Sequence, residues 1–128
     1  MSARFTTAVA MAGVLAAGWS CGNPSGQGNG CQSTGADVVI STKDNPPAYD
    51  KPSLTITRGQ TVCWQNPGSV AHTVTATSAS PADTAWTASA FDRTLNPNAV
   101  VIHTFGTSGQ YLYHCSFHAA MTGTINVP

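Results

Sequence analysis

Near its C-terminus the chain reads Tyr113, His114, Cys115, Ser116, Phe117, His118, Ala119, Ala120, Met121. Cys115, His118 and Met121 place a thiolate, an imidazole and a thioether in a tight turn between two β-prone runs, so one small loop can surround one ion. A fourth donor has to come from elsewhere. His72 is the natural candidate, because it begins a run right after the turn from Pro67 to Ala71 and can approach the loop at one end of a sandwich. A lone Cys or Met in a strand is usually a small core residue or core filler. Independent core residues, however, have no reason to fall at these spacings around one turn.

The donor set selects the metal. Structural zinc sites close with four strong ligands in paired short spacings, whereas two imidazoles, one thiolate and a weak thioether describe a trigonal copper site with a long axial bond. Soft sulfur stabilises Cu(I) and imidazole accommodates Cu(II), so a compromise geometry lets one ion change oxidation state with little rearrangement. With all four positions taken, no place is left for a substrate, and the expectation is a carrier rather than an enzyme. His103 and His114 lie in runs without a loop partner and are expected to be hydrogen-bonded or solvent-facing. Alternation along the strand points His114 away from the metal, where it could offer a second electron route.

The elements that must hold these donors are short. Thr, Ser, Ala, Gly, Val and Asn dominate, with eight Pro, a composition that favours strands and turns over helices. Seven β-prone runs follow Asp37: VVIST from Val38, SLTI from Ser53, TVCWQN from Thr61, HTVTAT from His72, VVIHTF from Val100, QYLYHC from Gln110 and TGTINV from Thr122. Turn chemistry separates them, at Asn45 to Pro47, Arg58 and Gly59, Asn66 to Gly68, Asn96 to Asn98, and Ser108 and Gly109. The stretch from Ser78 to Arg93 is irregular, with Trp86 and Phe91 as its only large apolar residues, and stays unassigned. The pattern predicts an all-β Greek-key β-sandwich of seven to eight strands. Trp64 is expected in its core, Tyr111 and Tyr113 as strand packing, and Asn66 as a turn former that also braces the ligand loop. Five basic residues balance five acidic ones, all Asp, so neither a nucleic-acid surface nor an acidic tail is indicated.

At the N-terminus, residues 1–20 carry Arg4 and then an apolar, small-residue run to Trp19 without an acid, the pattern of a signal peptide. The run is too short for the roughly 20 residues that span a bilayer. Residues 21–35 read as a flexible linker, and residues 36–128 as the copper-binding domain. Cys21 is a candidate lipid anchor, although Gly18, Trp19 and Ser20 match a lipobox poorly, and the sequence leaves its fate open. If Cys115 binds metal and Cys21 carries lipid, Cys31 and Cys63 remain to form one disulfide. Cys63 alternates with Val62 and Trp64, so if those face the core it faces outward, within reach of the N-terminal segment.

These residues resemble the cupredoxins, specifically the small plastocyanin and amicyanin branch. The resemblance covers about Val38 to Val127. It is carried by GQTVCWQN with the first histidine six residues on, FDRTLNPN, HTFGTSGQYLYHC, and a ligand loop with two residues between successive ligands. The two-residue gap before Met121 is similar to that of amicyanins; plastocyanins usually have a longer one. Departures are Cys63, where Thr or a similar residue is common, and Phe117, where many relatives have Pro. The resemblance implies a mononuclear type 1 copper protein that shuttles single electrons between larger redox partners, with His72, Cys115, His118 and Met121 as ligands and the loop histidine as the exit.

The expectation is therefore an exported monomer on the periplasmic or extracellular side, with Cys21 as a potential membrane tether and transient contacts to a redox donor and acceptor. Phe117, Ala119 and Ala120 would make the surroundings of His118 apolar, suiting brief contact. The competing reading is an envelope copper-delivery protein using the same ligands. Delivery proteins more often present Met or His tracts, and this chain has three Met, two of them in the first twenty residues.

Overall fold

The structure is a computed structural model that describes residues 30–77, 83–87 and 89–128. The expected signal peptide over 1–20, Cys21 and the linker up to residue 29 lie outside the described residues.

Among the described residues, nine strands form two sheets: β1 (Val38–Asp44), β2 (Pro47–Tyr49), β3 (Ser53–Thr55), β4 (Thr61–Gln65), β5 (His72–Ala76), β6 (Asp92–Leu95), β7 (Val100–Thr104), β8 (Gly109–Cys115) and β9 (His118–Val127). One sheet has the order β2-β1-β4-β7 and the other β3-β9-β8-β5-β6. The pairs β1/β4 and β3/β9 are parallel and the rest antiparallel, which makes a mixed Greek-key sandwich. All seven runs read from the sequence are strands. The two extra ones carry weak signals: β2 is three residues beginning at a proline, and β6 shows only Leu95 buried after three exposed residues. The last strand also begins at His118 rather than Thr122, so His118 and Met121 sit on β9 and not in a free loop.

Alternation fills the space between the sheets. Trp64 of β4 is fully buried and packs edge-on against Tyr113 of β8, with ring centroids 5.5 Å apart, while Trp86, Phe105 and Phe91 surround it at 6.1 to 6.4 Å. Trp86 reaches this cluster from the irregular segment and donates its indole N–H to the Leu112 carbonyl at 3.2 Å. Apolar rings thus win over the absence of strand pattern in that segment. Gly123 of β9 lies opposite Tyr113, and a Cβ there would fall on the tyrosine ring.

The stretch expected as linker is, from Gly30, fastened to the outer face of β4. Gly30–Ser33 form a single 3-10 turn, the Cys31 amide donates to Gln65 Oε1 at 3.2 Å, and a Cys31–Cys63 disulfide joins turn to strand. Cys63 faces outward from the sheet as alternation requires, yet Cys31 covers it and both are buried. Among the described residues, no helix is long and apolar enough to cross a membrane.

The disulfide spans 32 residues. Loop-closure entropy for that separation predicts that replacing both cysteines by alanine lowers stability by about 3–4 kcal/mol. A urea titration of the double variant should show an extrapolated stability lower by that amount and a steeper slope, because the unfolded chain without its cross-link exposes more surface.

Candidate metal centre

The centre lies at one end of the sandwich, where three strand ends meet. His72 is the first residue of β5, Cys115 the last of β8, and His118 the first of β9. Ser116 and Phe117 close the hairpin, so that Cys115 pairs directly with His118. The next pair along is His114 with Thr122, which leaves residues 119–121 of β9 without partners on β8. This bulge is what lets donors three residues apart converge from one hairpin. His118 and Cys115 meet across the turn, Ala119 and Ala120 are exposed, and Met121 is returned to the inside. Met121 and Cys115 are each 1% exposed and belong to the same core cluster.

The donor atoms of His72, Cys115 and His118 all lie within 4.8 Å of one another. From Cys115 Sγ, Nδ1 of His118 is 3.4 Å away and Nδ1 of His72 is 3.9 Å away. For bonds of about 2.0 Å to nitrogen and 2.3 Å to sulfur, a trigonal arrangement separates N and S by about 3.7 Å, and the two observed distances bracket that value. The sulfur itself accepts one hydrogen bond, from the Thr73 amide at 3.3 Å. Cys115 is the free cysteine among the described residues. The residues present fit a copper ion held by two imidazoles and a thiolate, with the thioether of Met121 buried beside them.

The two histidines differ. His72 is fully buried, and Nε2 lies 3.1 Å from Asp44 Oδ1, a residue the sequence reading did not single out. His118 is half-buried, its ring 5.0 Å from that of His72, and the residue before it in the turn, Phe117, is apolar and 57% exposed. His114 points outward from β8 as alternation requires, with Nδ1 2.9 Å from Thr77 Oγ1, and takes no place in the site. His103 is hydrogen-bonded to Asp83 at 3.2 Å and enclosed by Trp86, Phe91 and Phe105.

Asn66 does brace the site, but through the loop that leads into His72 and not through the C-terminal hairpin. Its amide nitrogen donates to the Val70 and Leu95 carbonyls at 2.7 and 2.9 Å, and its oxygen accepts from Thr42 Oγ1 and the Gly68 amide, both at 3.0 Å. All four hydrogen-bonding positions of this buried side chain are used. One residue thus ties β1, β6 and the 66–71 loop together around the base of His72.

A family model described as copper-binding proteins, plastocyanin/azurin family, matches residues 36–128. Among solved structures, the reduced state of a proline-to-phenylalanine mutant of amicyanin is 26% identical, with a TM-score of 0.59 over 74% of this chain and 84% of that one. The reduced Cu(I) form at pH 4 of a proline-to-glycine mutant of amicyanin is likewise 26% identical, with a TM-score of 0.61 over 73% and 83%. Among curated proteins, none matches.

Replacing Asn66 with alanine would strip the buried Val70 and Leu95 carbonyls of their partner. The expected outcome is a loss of about 2–3 kcal/mol in equilibrium unfolding, accompanied by weaker copper retention because the loop before His72 is no longer held. Unchanged stability would show that the loop is held by its other contacts.

Proposed function

The chain belongs to the plastocyanin/azurin family of copper-binding proteins, and we propose that it is a type 1 copper protein carrying single electrons between redox partners. His72, Cys115 and His118 would hold the ion, with the thioether of Met121 as a fourth and weaker donor. Bound copper supplies a one-electron couple between Cu(I) and Cu(II). The observation that carries the reading is the contrast between a donor set sunk in a packed core and one histidine left half-buried at an apolar rim.

Each residue has a separable task. Cys115, at the end of β8, is the covalent link between the ion and the sheet, and the Thr73 amide donating to its sulfur draws negative charge from it. His72 anchors the ion on the buried side. His118 is the route outward, flanked along the chain by Phe117, Ala119 and Ala120. The formal charge of the whole chain is zero, so long-range steering is weak and encounters rely on this apolar patch. Contacts of that kind are brief, which suits a carrier that must leave its partner. Four donors would fill the coordination of the ion and leave no position for a substrate, which supports a carrier over an enzyme. A disulfide between two buried cysteines supports an oxidising compartment and hence export.

Cu(II) added to the purified protein is expected to give intense blue thiolate-to-copper absorption, and Cys115→Ser to abolish it. A colourless complex of the wild type would end the carrier reading. Ala119→Lys places a charge in the patch without touching a ligand. It is expected to slow bimolecular electron transfer about tenfold, within the one to three decades over which association rates vary among variants of one interface, while leaving the absorption band in place.

A further inference from the structure

Asp44 closes β1 with its carboxylate inside the support of the site. Oδ2 accepts the Ser69 amide at 2.8 Å, the Val70 amide at 3.2 Å and the Ser69 hydroxyl at 3.3 Å, and Oδ1 faces His72 Nε2 at 3.1 Å. The loop approaches so closely that a Cβ at Gly68 would collide with this carboxylate. Both ring nitrogens of His72 are therefore committed: Nε2 to the acid, Nδ1 toward Cys115 Sγ. An ionised carboxylate only accepts hydrogen bonds, so the proton of a neutral His72 must sit on Nε2 and the lone pair on Nδ1. The imidazole is fully buried, and no bulk water competes for either nitrogen.

We propose that Asp44 is a positioning residue for the copper site: it fixes the tautomer and ring orientation of His72, and its negative charge biases the centre toward Cu(II). The inference rests on the reading of His72 as a copper ligand. A carboxylate hydrogen-bonded to the far nitrogen of a metal-bound imidazole raises the basicity of that ligand, and its charge stabilises a dication more than a monocation. Among the described residues, no acid is hydrogen-bonded to the His118 ring. The asymmetry makes His72 the fixed, charge-compensated side of the centre and leaves His118 to face the partner.

Two measurements test this. In the apo wild-type protein, nitrogen-15 NMR of the His72 ring should show Nε2 carrying the proton and Nδ1 free. The opposite tautomer overturns the proposal, and this readout needs no copper, so it decides the Asp44 contact even if the copper reading fails. In the copper-loaded full chain, Asp44→Asn keeps size and shape but removes the charge. Its Cu(II) affinity is expected to fall about 10- to 100-fold. Its equilibrium preference for Cu(II) over Cu(I) is expected to fall about tenfold, read as a reduction potential raised by about 59 mV. A folded Asp44→Asn protein with affinity and potential both within a factor of two of the wild type in these constants would overturn it. If that variant does not fold, the NMR result on the wild type stands as the deciding test.

Discussion

The site depends on one irregularity in an otherwise regular hairpin, the break in register between His114 and Cys115 on β8 and the facing stretch of β9. A regular antiparallel pair with a two-residue turn would continue alternating after His118, and the donors on β9 would be dictated by a period of two. Three unpaired residues change that phase. They expose Ala119 and Ala120 and send Met121 inward to the cluster that holds Cys115. The thiolate has to stay at the very end of β8 for this to work, because His118 pairs with Cys115 itself. Everything else at this end of the sandwich is arranged to bring His72 to the same place.

That arrangement comes from the neighbouring strands of the same sheet, from the opposite sheet and from the loops. β5 lies between β8 and β6, and its first residue is His72, so a correct register with β6, where His72 pairs with Leu95, fixes the height of the imidazole. Asn66 then ties the loop before it to β1 and β6, and Asp44 takes the loop amides and the imidazole itself. Behind them stands the aromatic cluster around Trp64, in which rings from both sheets and from the irregular segment interlock. Interiors packed in this way resist small displacements. The Cys31–Cys63 staple acts on the far face of β4 and holds the entering chain there without touching the donors.

Legibility in the sequence followed the physics of each feature. Cys115, His118 and Met121 could be read because ligand chemistry is tied to residue type and their spacing is local. His72 could be read because it follows a turn and starts a β-prone run. The cysteines 31 and 63 were paired by parity and by strand alternation, both of which survive without coordinates. Strands β2 and β6 were missed because one is three residues starting at proline and the other is exposed at all but Leu95, so neither carries a period of two. Trp86 was visible as a large apolar residue but not as a core member, since its segment lacks a strand pattern. Asp44 was invisible: 28 residues separate it from His72, and an acid preceding Asn-Pro-Pro reads as turn chemistry. The bulge was equally hidden, because register is a relation between two strands and no local signal marks it.

A carrier has to satisfy two demands that pull apart. The ion must be held so firmly that its surroundings change little with oxidation state, and yet one ligand must come near enough to solvent for a partner to approach. A uniform site would satisfy one demand at the expense of the other. On the proposed carrier reading, these demands would fall on different residues. His72 and Cys115 are buried, hydrogen-bonded to Asp44 and to the Thr73 amide, and rooted in two strands of one sheet. His118 is half-buried and begins a bulged strand, with exposed Phe117 before it and two small exposed alanines after it. Rigidity on the inner side allows exposure on the outer one, because two of the three donors are held in place independently of the third. The small size of Ala119 and Ala120 then has a physical reason: bulkier residues at the bulge would stand between His118 and any flat surface brought against it.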